Sequence, residues 1–166
     1  MPLLSIIIVS FNARADLERC LASLHEPPPQ APHEIIVVDN ASSDASVDAA
    51  RRWSDVRVIG SPANVGFSRG TNIGIRASRG DRLLLLNSDT IVPPRAVDRL
   101  LEDLERDAAV AVVGPRLVDA QGRAELSFGS MIGPFNELRQ KLFVTGHERG
   151  VWPIAAWVER DRKSVV

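Results

Sequence analysis

The chain is poor in cysteine, lysine and net charge, and each shortage excludes something. A single cysteine, Cys20, rules out an internal disulfide and a cysteine-built zinc site, and it fits a reducing compartment. Lysine stands only at Lys141 and Lys163, so the basic residues are almost all arginine, the bias of a GC-rich bacterial genome. A formal charge of −1 gives no general attraction to nucleic acid or to an anionic membrane. No apolar run approaches the ~20 residues of a membrane helix. The N-terminus has neither a basic leader nor a small-residue cleavage site, so Leu4–Val9 reads as a first strand and not a signal peptide. The histidines His25, His33 and His147 share no metal-ligand spacing and are expected at the surface. No Ser-His-Asp arrangement can be argued, and Cys20 reads as a core thiol on an apolar helix face.

What is present is an alternation of short apolar runs and amphipathic stretches. The 166 residues suffice for one domain with a real core. Leu4–Val9 and Glu34–Val38 read as buried strands, Val56–Ile59 as a shorter one, and Asp81–Leu86 as a fourth. Its four leucines, Leu83–Leu86, read as buried on both faces. Helices are expected over 14–25, with Leu17, Cys20, Leu21 and Leu24 inward; over 45–53, capped by Ser43 or Asp44; over about 67–78; and from Pro93-Pro94, with Val97, Leu100, Leu101 and Leu104 inward. Val110–Val113 reads as a fifth strand. Strand and helix in alternation through residue 114 predict an α/β sandwich with a mainly parallel central sheet. Later come a hairpin at 117–128, a helix over 134–144, and Trp152 and Trp157, which either pack on the sheet or sit in an acceptor groove.

Three of these strands end in polar groups at what should be one rim: Ser10 and Asn12, Asp39 and Asn40, then Asn87, Ser88 and Asp89. Ligands of open α/β sheets bind beyond the carboxyl ends of the strands. Asp39 can accept a hydrogen bond from a base N–H, such as N3–H of uracil or thymine. Asp89 can hold Mg²⁺ or Mn²⁺ against a diphosphate, although Asn-Ser-Asp is also a good turn. Between the third and fourth strands, Gly66, Gly70 and Gly74 recur every four residues along a helix side, which implies close approach to a neighbour or a ligand. That helix start suits an anion, but there is no Gly-Lys-Ser/Thr loop and no dinucleotide fingerprint.

Together, Val9-Ser10-Phe11-Asn12, Val37-Val38-Asp39-Asn40-Ala41-Ser42-Ser43-Asp44, Asn64-x-Gly66-Phe67-x-x-Gly70-x-Asn72-x-Gly74 and Leu85-Leu86-Asn87-Ser88-Asp89 resemble family 2 glycosyltransferases, in order and spacing, from residue 3 to about 125. The rhamnosyltransferase-like subgroup is the most similar. The resemblance implies a GT-A fold, a Rossmann-like three-layer α/β/α sandwich, and inverting transfer of sugar from a nucleotide-diphosphate donor, dTDP-rhamnose or a UDP-sugar, to a glycan or lipid-linked acceptor. It implies that Ser10, Asn12 and Asp39 bind base and ribose, with Asn40 beside them. Asn64, Gly66 and Asn72 would flank the donor. Asn87-Ser88-Asp89 would stand at the DxD position, with Asp89 the metal ligand and Asn87 a ribose contact. The expected site is cytoplasmic, with peripheral attachment at the inner membrane face as an option.

The departure from the family is length. The family's catalytic aspartate lies in a second half with acceptor motifs, and no Gly-Gly-Phe-Asp run occurs here. Glu148, Glu159 and Asp161 are among the late carboxylates, and nothing marks one of them as the base. Residues 1–128 thus read as a nucleotide-sugar-binding core, and 129–166 as the start of an acceptor-side region, with the sheet incomplete at its C-terminal end. A binding module without transfer activity is the alternative. An unfinished sheet leaves an open edge, which a homodimer would cover.

Overall fold

A computed structural model of the chain describes residues 3–115. Strands β1 (Leu4–Ser10), β2 (His33–Asp39), β3 (Val56–Gly60) and β4 (Arg82–Asn87) form one sheet, all parallel, in the order β3-β2-β1-β4. The crossovers are helices α1 (Arg14–His25), α2 (Ser46–Arg51) and α3 (Phe67–Ala77), and α4 (Ala96–Arg106) follows β4. The chain divides into two compact units, Met1–Val113 and Gly114–Val166. The expected boundary at 128, the hairpin, the later helix, His147, Trp152 and Trp157 lie outside the described residues.

Alternation along the strands sorts their side chains onto two faces. One face presents Leu4, Ile6, Ile8, Ile35 and Val37 to Leu17, Cys20, Leu21 and Leu24 of α1, Ala50 of α2 and Val97 of α4. Burying each large aliphatic group there contributes about 1.5–3 kcal/mol. Among the described residues, the other face carries α3 alone. A Cβ on Gly70 would stand 2.9 Å from Val9 Cγ1, and one on Gly74 would run into Ile7 Cγ2. Glycine here lets the helix backbone lie directly on β1 and β2. Gly66 does a different job: it precedes the helix with φ +80°, a left-handed conformation that glycine adopts freely.

Several expectations are corrected. Leu83–Leu86 is not buried on both faces: Leu84 and Leu86 pack on the core, whereas Leu83 and Leu85 are 45% and 50% exposed. The cause is position, because β4 lies at the end of the strand order while α3 rests on β1 and β2. Val110–Val113 forms no strand. It follows a turn in which Asp107 O accepts from Val110 N at 2.9 Å, it pairs with neither sheet edge, and Val112 is 85% exposed. Pro93 and Pro94 lie ahead of α4, which begins after Arg95 in a left-handed conformation. His25 and His33 are half-buried, not at the surface: His25 stacks on Trp53, donates Nδ1–H to Leu21 O and reaches the Asp55 carboxylate at 3.0 Å. Cys20 is buried, as expected. Among the described residues no helix is long and apolar enough to cross a membrane.

Candidate functional site

The register aligns the strand ends into one row: Ser10 opposite Asp39, Asp39 opposite Gly60, and Val9 opposite Asn87. Ser10 and Asp39 are 1% and 5% exposed. Asp39 Oδ2 accepts from Ser42 N at 3.1 Å. Its Oδ1 and the Ser10 hydroxyl are buried with no hydrogen-bond partner among the described residues, and so is Thr71 Oγ1 on α3. A buried polar atom left unpaired costs about 1–3 kcal/mol, so two on adjacent strand ends call for a ligand that completes them.

The loops beyond β1 and β2 are tied to one another. Asn12 N donates to Ser42 Oγ at 2.9 Å, and Asn12 Oδ1 accepts from Ser43 N at 2.7 Å. Asn12 and Ala41 both have left-handed backbones, φ 49° and 65°. For Ala41 that conformation costs roughly 1–2 kcal/mol, so the surrounding bonds must hold it. Asp44 caps not one helix but two: it accepts from Arg14 N and Ser46 N, each at 3.0 Å. The Ser46 hydroxyl, foremost among these donors, holds the Asp44 carboxyl below its usual range. The starts of α1 and α2 thus already carry an anion of the chain's own.

Asn40 and Asn64 join the same scaffold. The buried Asn40 donates through Nδ2 to Asn64 Oδ1 at 2.8 Å and accepts from Val65 N at 2.9 Å, while Asn64 Oδ1 also takes Gly66 N at 3.0 Å. These amides shape the loop that leads into α3. Asn72 is exposed on α3.

At the end of β4, Asn87 and Asp89 are exposed and Ser88 is half-buried, in a turn closed by Thr90 N on Asn87 O at 3.2 Å. Beneath it, burial, assisted by the negative charge of Asp89, pushes the Cys20 thiol up to about 12. No group of three or more potential metal-ligating side chains gathers among the described residues. A lone exposed carboxylate fits Mg²⁺ or Mn²⁺ that is shared with substrate phosphates, and does not fit a cage supplied by protein alone.

The structure therefore brings Ser10, Asp39 and the Asn12 loop together, and aligns Asn87–Asp89 on the same rim. Sequence reasoning missed Thr71, whose hydroxyl between Gly70 and Gly74 carries no pattern, and the double role of Asp44.

Comparison with known proteins fits this arrangement. Residues 5–161 match the family described as Glycosyl transferase family 2. An uncharacterized glycosyltransferase of Haemophilus influenzae is 32% identical over 105 residues, covering 63% of this chain and 35% of that protein. The N-acetylglucosaminyl-diphospho-decaprenol L-rhamnosyltransferase of Mycobacterium tuberculosis is 28% identical over 131 residues, 72% of this chain and 42% of that protein. Among solved structures, the mannosyltransferase PcManGT of Pyrobaculum calidifontis, in complex with GDP-Man and Mn²⁺, superposes with TM-score 0.57 at 24% identity, over 68% of this chain and 34% of that one. The chain thus spans about a third of the length of two of these proteins and 42% of the other. The shared fold is GT-A.

Proposed function

The chain belongs to glycosyl transferase family 2, and from that premise we propose that the rim of its sheet binds the donor of an inverting sugar transfer. The donor is a pyrimidine nucleotide-diphosphate sugar, dTDP-rhamnose or a UDP-sugar, and the acceptor a glycan or a lipid-linked glycan. The likeness to a mycobacterial rhamnosyltransferase favours the deoxysugar. Residues 1–128 act as the donor core, and 129–166 open the acceptor side. The protein works in the cytoplasm, with peripheral attachment at the inner face of the membrane as an option.

The observation that carries this reading is the unpartnered, buried Oδ1 of Asp39 beside the unpartnered Ser10 hydroxyl. Oδ1 accepts N3–H of the base, and Ser10 bonds the base or ribose edge. Asn12, Asn40 and Asn64 hold the walls of that pocket through the bonds already described. Gly66 and Asn72 border the donor, and Asn87 and Ser88 face the ribose and diphosphate. Asp89 holds Mg²⁺ or Mn²⁺, which when bound neutralises charge building on the diphosphate. A family-fold mannosyltransferase holding Mn²⁺ is in keeping with this. In the reaction the acceptor oxygen bonds the anomeric carbon as the bond to the diphosphate breaks. The nucleoside diphosphate leaves with the electron pair, and a base takes the acceptor's proton. No residue of this chain is assigned as that base.

The test is a thermal-shift series with UDP-glucose, dTDP-rhamnose and GDP-mannose, with and without Mn²⁺. Stabilisation follows ligand concentration over Kd. The expected result is a shift with the pyrimidine nucleotides, larger with Mn²⁺ and lost in Asp39→Ala. No shift with any nucleotide, metal or not, contradicts the reading.

A further inference from the structure

We propose that Cys20 and Ser23 of α1 are positioning residues for Asp89, and that α1 acts as the spacer setting Asp89 at a fixed distance from the base pocket. This rests on Asp89 being the metal carboxylate.

Asp89 stands in irregular chain between β4 and α4. An exposed carboxylate there gains metal affinity only if its backbone is held. Two bonds from one helix hold it, one on each side. Before Asp89, Cys20 Sγ donates to Asn87 O at 3.7 Å. After it, Val92 N donates to Ser23 Oγ at 3.0 Å. Cys20 and Ser23 are three residues apart and so neighbours on one face of α1. The Ser23 hydroxyl spends its proton on Cys20 O at 2.7 Å, which leaves its oxygen as the acceptor for Val92. A serine bonded to its own helix is ordinary; the second bond, to a loop 69 residues away, is not. Val92 is also packed on the core.

The start of the same helix is keyed to the other half of the site. Arg14 N donates to Asp44, and Asn12 just ahead of α1 is bonded to Ser42 and Ser43. Ser42 N in turn donates to Asp39. From Arg14 to Cys20 a helix advances about 9 Å. Base recognition and metal binding are therefore referenced to one rigid element, and the span between them is set by helix geometry.

Mn²⁺ titration of the 166-residue chain in the presence of UDP, followed by electron paramagnetic resonance, tests this together with UDP affinity without metal. Ser23→Ala is expected to weaken Mn²⁺ binding roughly tenfold, with metal-free UDP affinity unchanged. Ser23→Thr, which keeps the hydroxyl, is expected to restore Mn²⁺ binding, and Asp89→Ala to abolish it. If Ser23→Ala lowers the melting temperature but leaves Mn²⁺ affinity intact while Asp89→Ala abolishes it, the positioning role is overturned and the Asp89 reading survives. If Asp89→Ala also leaves Mn²⁺ binding intact, both fall.

Discussion

Strands β1 and β2 carry the same pair of groups at each end, a serine opposite a carboxylate: Ser5 with Glu34 and Ser10 with Asp39. The two pairs are treated in opposite ways. At the amino end, Ser5 Oγ donates to Glu34 Oε1 at 2.7 Å and accepts from Gly80 N at 2.9 Å. Glu34 also takes the Arg79 N–H and its guanidinium, the latter at 3.1 Å, so that every oxygen is matched. Burial acts to raise the Glu34 carboxyl, but the bonds from Ser5 and Arg79 outweigh it and hold the group below its ordinary 4.5. At the carboxyl end, one Asp39 oxygen and the Ser10 hydroxyl are buried with nothing to bond among the described residues. One rim of the sheet is chemically closed and serves stability. The other leaves two buried polar atoms unmatched among the described residues.

This contrast can be broken by substitution. The largest effect belongs to Asp39→Ala, which should weaken nucleotide binding about 10- to 100-fold, the worth of a hydrogen bond to a charged acceptor. Its melting temperature should move little, because the change removes one unpaired carboxylate oxygen along with the bond from Ser42 N. Calorimetric titration beside a melting curve reads both.

Glu34→Ala should do the reverse, costing about 1–3 kcal/mol of stability with nucleotide affinity unchanged in denaturant and binding titrations. Because the folded value of Glu34 lies below its unfolded one, its stabilisation is complete above about pH 4.5 and is lost as pH falls through the folded value. Glu34→Gln should flatten that part of the stability profile. The smallest effect separates the serines. Ser5→Ala strands Gly80 N and should cost about 1 kcal/mol, whereas Ser10→Ala should cost under about 0.5 kcal/mol and weaken nucleotide binding a few-fold. Equal stability losses for the two serines would remove the distinction between the rims.

Much of this was legible in the residues. The continuous β-branched runs at Leu4–Val9 and Glu34–Val38 placed β1 and β2, and the three- and four-residue spacing of Leu17, Cys20, Leu21 and Leu24 placed α1 and its inward face. The glycine interval announced the close approach of α3. Ser10, Asp39 and Asn87 were legible as rim residues because each ends its strand. What the residues did not disclose is tertiary. Four leucines look alike in sequence, and it is the place of β4 in the strand order that exposes Leu83 and Leu85 while Leu84 and Leu86 pack on the core. Val110–Val113 has the composition of a strand, but a strand exists only where a ladder receives it. The bonds that hold the pocket wall, Asn40 to Asn64 and Asn12 to Ser43, join residues 24 and 31 apart, and no local pattern marks them.

The central claim is that Asp39 Oδ1 waits for the N–H of a pyrimidine base. The direct measurement compares metal-free binding of UDP with that of its N3-methyl derivative, which keeps shape and charge but lacks the donor. The account predicts at least a tenfold loss on methylation, and no difference between the two ligands in Asp39→Ala. Equal binding of UDP and N3-methyl-UDP by the unsubstituted chain would contradict it.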